Sequence, residues 1–275
     1  MQKSLFNFIL SGCLLTIAAS GSAFAKETVT ISGSTTVLPV MQKISEHIMK
    51  KDPSLAIELS GGGSGNGIKA LNDGLTQIAM SSRKIKDSEV KAASSKNVSP
   101  YEIAVAIDAI VPIVNPKNSV ADISLDNLRK VFKGEIKNWK ELGGSDAPIV
   151  LISRDTSSGT FETWESLVMK KERISPRALL QNSNGTVVQG VAKNPNAIGY
   201  IGLGYVVPSI KAVNIGGVHA SAQTAANKSW PLSRELFLYT NGVPAQAVKK
   251  VTDYCLSEAG QNLAKEAGFV PLQKK

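Results

Sequence analysis

Four times in this chain an apolar run ends in serine, meets a turn of small hydrogen-bond donors and passes into a helical pattern. Val29-Thr30-Ile31-Ser32 runs into Gly33-Ser34-Thr35-Thr36. Ala56-Ile57-Glu58-Leu59-Ser60 runs into the glycine turn 61–67, and Ile78-Ala79-Met80-Ser81 into Ser82-Arg83. Pro148-Ile149-Val150-Leu151-Ile152 runs through Ser153-Arg154-Asp155-Thr156-Ser157-Ser158 to Gly159 and Thr160. Short strands alternating with helical patterns predict an α/β fold with parallel sheets. In such sheets, ligands sit outside the carboxyl ends of the strands. Helix starts there offer unpaired N–H groups and the positive end of a dipole, which suits an anion. Each turn alone is also an ordinary cap; four converging on one sheet edge point to a small anion held by many donors.

The spacing predicts β-strands over 29–33, 55–59 and 78–80, with helices over 38–51, 67–72 and 87–96. Tyr101 to Asn115 is too long for one typical strand, and Pro112 argues against a continuous central strand. We read it as a crossing between two lobes, with a hinge near Asp108 to Val111. Ser124 caps a helix through Val131, and Asn138 to Gly144 is turn-rich. A helix starts at Ser183-Asn184-Gly185-Thr186. Residues 197–206 and 211–215 read as strands, and 216–230 as loop or weak helix. Arg234 to Thr240 is the return crossing, and helices over 244–256 and 258–267 close the chain against the first lobe. The expected division is residues 26–109 plus 236–275 in one lobe and 110–235 in the other. Each lobe is expected to be a doubly wound, mostly parallel sheet with helices on both faces.

The first 25 residues have the form of an export signal: Lys3, an apolar stretch from Leu5 to Ala19, and Ala23-Phe24-Ala25 before the cut. Leu10-Ser11-Gly12-Cys13 resembles a lipoprotein cleavage box, yet the apolar run before it is very short and continues past it. We therefore expect cleavage after Ala25 and a periplasmic or secreted protein, with a lipid anchor at Cys13 as the alternative. Cys255 is then the one remaining cysteine, expected to be a buried apolar residue. Loss of Lys3 leaves 30 basic against 22 acidic side chains. A basic surface suits anionic partners. Aromatic residues, at 5%, do not interleave with basic runs, which disfavours nucleic acid.

Residues 62–67 give G-x-x-x-x-G, but Ile68 stands where a nucleotide-binding loop needs Lys. His47 and His219 have no companions at metal-ligand spacing, so neither metal nor cofactor is expected. Ser157 and Ser158 lack the G-x-S-x-G frame of a nucleophile turn. Trp139, Trp164 and Trp230 are expected in packing roles.

Six stretches together, 33–39, 61–68, 80–83, 131–139, 154–160 and 197–200, resemble the periplasmic phosphate-binding proteins of bacterial phosphate ABC transporters. The resemblance spans almost all of the chain after the leader. It implies a type II solute-binding fold, two lobes joined by two crossings, and phosphate clamped in the cleft. It implies no enzymatic activity, a monomer, and docking on the membrane subunits of an ABC transporter. It carries Ser34, Thr35 and Thr36, Ser64, Ser82, and Arg154, Ser158, Gly159 and Thr160 to the phosphate site. Arg83 is counted with them, either facing the ligand or turned away. Some members place Asp where Ser82 stands, to accept the proton of hydrogen phosphate and reject sulfate. Here the acceptor is a hydroxyl, Asp155 or Glu162, or is lacking. A receptor for sulfate or another oxyanion, an exported phosphomonoesterase, and a surface adhesion or sensor protein are the other readings.

Overall fold

The computed structural model describes residues 26–272; the signal, Cys13 and the cut after Ala25 lie outside them. The chain opens with β1 (Glu27–Gly33), α1 (Leu38–Lys51), β2 (Leu55–Gly61), α2 (Ser64–Asn72), β3 (Ile78–Ser81) and α3 (Asp87–Ser94). Helix α1 turns Val40, Met41, Ile44 and Ile48 inward, with Pro39 in its first turn where no amide donor is required. Helix α2 starts three residues earlier than its apolar spacing predicts. Gly63, at φ 99°, swings the chain so that Ser64 opens the helix, and Gly65 and Gly67 become helical.

The next element corrects the sequence reading. Residues Pro100–Val114 form one continuous 15-residue strand, β4. It can be that long because it changes neighbours midway. Its first part, to Ala109, pairs with β11 (Ser233–Asn241), and Ile110–Val114 pairs with β8 (Ala197–Gly202). Pro112 is tolerated because its peptide edge faces the two-residue strand β9 (Lys211–Ala212): Val213 N–H donates to the Pro112 carbonyl at 2.9 Å. The missing amide therefore falls on a short edge and not on the β8 ladder.

Between these crossings lie β5 (Asp122–Ile123), α4 (Leu125–Lys133), β6 (Val150–Arg154), α5 (Gly159–Leu167), β7 (Leu179–Gln181), α6 (Asn184–Lys193), β10 (Asn214–Ile215) and α7 (Ala222–Ala226). The expected strand over 211–215 is split: β9 joins β4, while β10 pairs with β5 in a separate two-stranded sheet. The apolar run 197–206 leaves the sheet at Gly202 and makes one 3-10 turn, Leu203–Tyr205. Helices α8 (Gln246–Leu256) and α9 (Glu258–Glu266) end the fold. The main sheet runs β2-β1-β3-β11-β4-β8-β6-β7. It is parallel around β1 and around β6, and antiparallel where β4 and β11 cross between the two halves.

Two main apolar cores follow the same split. One packs Val29, Ile31, Met41 and Ile44 against Leu236, Leu238, Val251 and Phe269. Cys255 lies in it, its Sγ 3.7 Å from Met41 Sδ, and burial pushes its thiol up to about 12. The other holds all three tryptophans. Trp164 stacks on Tyr200 with ring centroids 4.1 Å apart, and Phe132 meets both edge-on. Trp139 and Trp230 donate from Nε1 to the carbonyls of Asn196 and Ile110, each at 3.0 Å. Trp164 Nε1 is buried without a partner. Trp164→Ala should therefore destabilise the protein by about 3–5 kcal/mol in urea unfolding, and Trp164→Phe, which leaves a smaller gap and removes the unpaired N–H, by clearly less.

Candidate functional site

Three donor turns come from the first half of the molecule. β1 ends against β3, where Ser34 N–H donates to the Met80 carbonyl at 2.8 Å, and the chain then lays Ser34, Thr35 and Thr36 into the interior. Ser34 Oγ accepts from Thr36 N–H at 3.2 Å. Ser64, the first residue of α2, and Ser82, just past β3, are fully buried side by side. Ser64 Oγ accepts from Ser82 N–H at 3.1 Å, and the two hydroxyls are 3.3 Å apart.

The second half supplies charge. Arg154, at the end of β6, is 1% exposed. Its Nε donates to the Gln181 carbonyl at 3.1 Å and its Nη2 to that of Asn182 at 3.0 Å. Its Nη1 is buried with no hydrogen-bond partner. Burial lowers its pKa, but an arginine starts so far above neutrality that it stays a cation. Four residues on, Ser158 caps α5 by accepting from Phe161 N–H at 3.3 Å, so Gly159 and Thr160 form the open helix start. A buried cation beside a helix N-terminus is a demand for an anion.

The two halves meet at these turns. Thr36 and Thr160 hydroxyls are 2.9 Å apart. The Gly159 α-carbon faces Ser64 and Ser82 so closely that a Cβ there would lie 2.4 and 2.8 Å from their Oγ atoms. Gly65 N–H donates to the Ser157 carbonyl at 2.9 Å. Thus Ser34, Thr35, Thr36, Ser64, Ser82, Arg154, Ser158, Gly159 and Thr160 are brought to one buried interface. Arg83 reaches its rim, but its fork is taken. Nη1 and Nη2 hold Glu89 at 2.8 and 2.7 Å, and Nε faces Glu162 of α5 at 2.8 Å. Lys86 also meets Glu162, at 2.6 Å, so Arg83 and Lys86 clasp the two halves together at the rim. Asp155 accepts from the backbone and hydroxyl of Ser157.

Four further residues belong to the cluster. Asn184, the first residue of α6, donates from Nδ2 to the hydroxyls of Thr35 and Thr36, each at 3.1 Å. Arg234 of β11 donates from Nη2 to Thr160 Oγ1 at 2.9 Å and Thr36 Oγ1 at 3.3 Å, and its Nε and Nη2 grip Asp108 of β4. Tyr205 donates to the Thr35 carbonyl at 2.5 Å. Burial pushes the Asp108 carboxyl up, against the pull of Arg234 and the N–H groups of Leu203 and Ala109. Since every one of these partners donates, Asp108 is held as the carboxylate. Asn184 had a sequence signal: Leu179-Leu180-Gln181 followed by Asn182-Ser183 is a fifth strand–turn–helix unit, hidden because β7 is three residues long. Asp108 and Arg234 had another, opposite charges inside two apolar strands, each requiring a partner.

The histidines lie elsewhere: His47 packs 5.5 Å from the Tyr254 ring and His219 pairs with Asn214. Among the described residues no group of three or more His, Cys, Asp or Glu is placed to hold a metal ion. Nor is any described helix long and apolar enough to cross a membrane.

Fold and site together define a two-lobed solute-binding protein of the type II architecture, and residues 18–259 match the family described as PBP superfamily domain. The phosphate-binding protein PstS of Bacillus subtilis is 33% identical over 257 residues, covering 93% of this chain and 84% of its own. PstS of Borreliella burgdorferi is 32% identical, covering 89% of this chain and 90% of its own. Among solved structures, a substrate-binding protein assigned to phosphate ABC transport, from Clostridium perfringens and with bound phosphate, superposes with a TM-score of 0.85 at 35% identity. That match covers 90% of this chain and all of the other. This chain belongs to the PBP superfamily and, within it, to the family of the phosphate-binding PstS proteins. Gly159→Ala should keep the lobes from meeting, because its methyl group would strike Ser64 and Ser82. Small-angle scattering should then show a larger radius of gyration than wild type, with far-UV circular dichroism unchanged.

Proposed function

We propose that this protein binds inorganic phosphate outside the cytoplasmic membrane and delivers it to the membrane subunits of an ABC transporter. One observation carries the reading: a buried Arg154, without a carboxylate on its fork and with Nη1 unpartnered, stands beside the start of α5 and the convergent Ser and Thr hydroxyls. Inorganic phosphate supplies both the charge and the acceptors this site demands. Charge-assisted hydrogen bonds contribute roughly 1.5–3 kcal/mol each. Submicromolar affinity requires about −8 kcal/mol, which several such bonds reach after desolvation. Ser82 Oγ, whose hydrogen-bond contact is the Ser64 hydroxyl, can accept as well as donate and so receives the proton of hydrogen phosphate. The relatives named for phosphate support the same ligand.

The protein acts as a carrier, a reading supported by relatives named as binding proteins. Residues 26–109 with 236–275, and 110–235, are the two moving lobes, a division supported by the separate apolar cores and by the neighbour exchange of β4 near Ala109. They open and close about the two crossings, and the closed monomer docks on the transporter. Export removes residues 1–25, so the intact mass of the exported protein should correspond to Lys26 to Lys275. In calorimetric titration of the ligand-stripped protein, phosphate should bind submicromolarly and sulfate at least 100-fold more weakly. Arg154→Ala should lose at least 100-fold. Equal binding of both anions would make this a general oxyanion receptor, and hydrolysis of a chromogenic phosphate ester would make it an esterase.

A further inference from the structure

The hydroxyls of the cluster have a fixed polarity, and it can be read from their partners. Gly202 N–H donates to Asn184 Oδ1 at 3.1 Å, which turns the amide so that Nδ2 faces the threonines. Nδ2 carries two hydrogens and meets two acceptors, Thr35 Oγ1 and Thr36 Oγ1. Arg234 has no acceptor atoms at all, and Asp108 anchors it through Nε and Nη2. Of the two Nη2 hydrogens one goes to Asp108, and the other is shared between Thr160 at 2.9 Å and Thr36 at 3.3 Å. Asp108 is held in turn by Leu203 N–H, donating to Oδ1 at 3.0 Å.

The proton count follows. Thr36 Oγ1 receives one hydrogen from Asn184 and the longer share of the hydrogen that Arg234 divides between the two threonines, so both of its lone pairs face donors. Its single proton goes to Thr160 Oγ1, 2.9 Å away. Thr160 Oγ1 now receives from Thr36 and from Arg234, so it too can only donate. Its own proton has no acceptor among the contacts of the cluster. Thr35, receiving from Asn184, likewise has its proton to give.

We infer that Asn184 and Arg234 are positioning residues that lock Thr36 and Thr160 as donors and bias Thr35 toward donating, so that this wall of the site favours unprotonated oxygens of a bound oxyanion. The inference rests on the phosphate reading and specifies which protonation state of the ligand the wall selects. Against donor-locked hydroxyls, a protonated phosphate oxygen loses a hydrogen bond and sets two donors against each other. Hydrogen phosphate dianion has one protonated oxygen to place at Ser82; dihydrogen phosphate has two.

The test is calorimetric titration of the exported chain with inorganic phosphate at pH 5 and pH 8, after correction for the phosphate species present. Wild type should favour the dianion by at least tenfold, and Asn184→Ala should lose about tenfold at pH 8. The variant's pH dependence should flatten, because the freed Thr35 and Thr36 hydroxyls can now accept. In a background carrying Thr35→Val and Thr36→Val, Asn184→Ala should change affinity by less than about twofold, since the groups it acts through are gone. Asn184→Ser, which leaves an acceptor for Gly202 N–H, repeats the cycle if Asn184→Ala proves too unstable. Equal losses in both backgrounds with an unchanged pH profile would overturn the inference while leaving phosphate binding in place. Failure of wild type to bind phosphate would remove the functional reading and the inference with it.

Discussion

The molecule depends on the ladder between β4 and β11. These two strands are the passages by which the backbone moves from one apolar core to the other, and they pair with each other along nine registered positions. Where the ladder leaves the first core, Arg234 grips Asp108 across it. A carboxylate and a guanidinium removed from water each carry a large solvation penalty, so breaking the pair by losing one partner is far more damaging than its modest net contribution suggests. The pair also ties the crossing to Thr36 on one side and Thr160 on the other. The crossings and the proposed binding wall are thus parts of one hydrogen-bonded unit, and any rotation about the crossings would rearrange these contacts.

Charge balance explains why the rest of the site is organised as it is. Asp108 offsets Arg234, and Glu89 and Glu162 offset Arg83. Arg154, unlike Arg83 and Arg234, has no carboxylate on its fork; its hydrogen bonds go to carbonyls, which orient it without neutralising it. Holding a cation this way costs stability in the unliganded state and returns it when an anion arrives. Helix α5 adds its dipole in the same direction. Arg83 stands at the rim, ion-paired to Glu89 and Glu162 from the two halves.

Much of this was legible in the chain. The serine-ended apolar runs located the donor turns, because strand, turn and helix start are local events written in consecutive residues. Pairing was not legible. Fifteen residues with a proline argued against one strand, and only the exchange of partners at Ala109 and the short edge at β9 make it possible. The identity of the residues behind the hydroxyls was hidden for the same reason. Asn184 follows a three-residue strand too short to register, and Arg234 and Asp108 are 126 positions apart, a separation at which sequence shows two lone charges and the fold shows a pair.

The one thiol among the described residues has a practical consequence. Cys255 is buried in a core shared by the first and last thirds of the chain, and its thiol is far from ionised at neutral pH. A thiolate reacts and a buried thiol does not. In the native fold Cys255 is therefore blind to alkylating reagents, and each molecule that opens this core becomes permanently marked there. Cys255 is a built-in recorder of unfolding: the rate at which it is modified in dilute reagent measures how often the two ends of the chain part company, and any anion that closes the cleft should slow that clock.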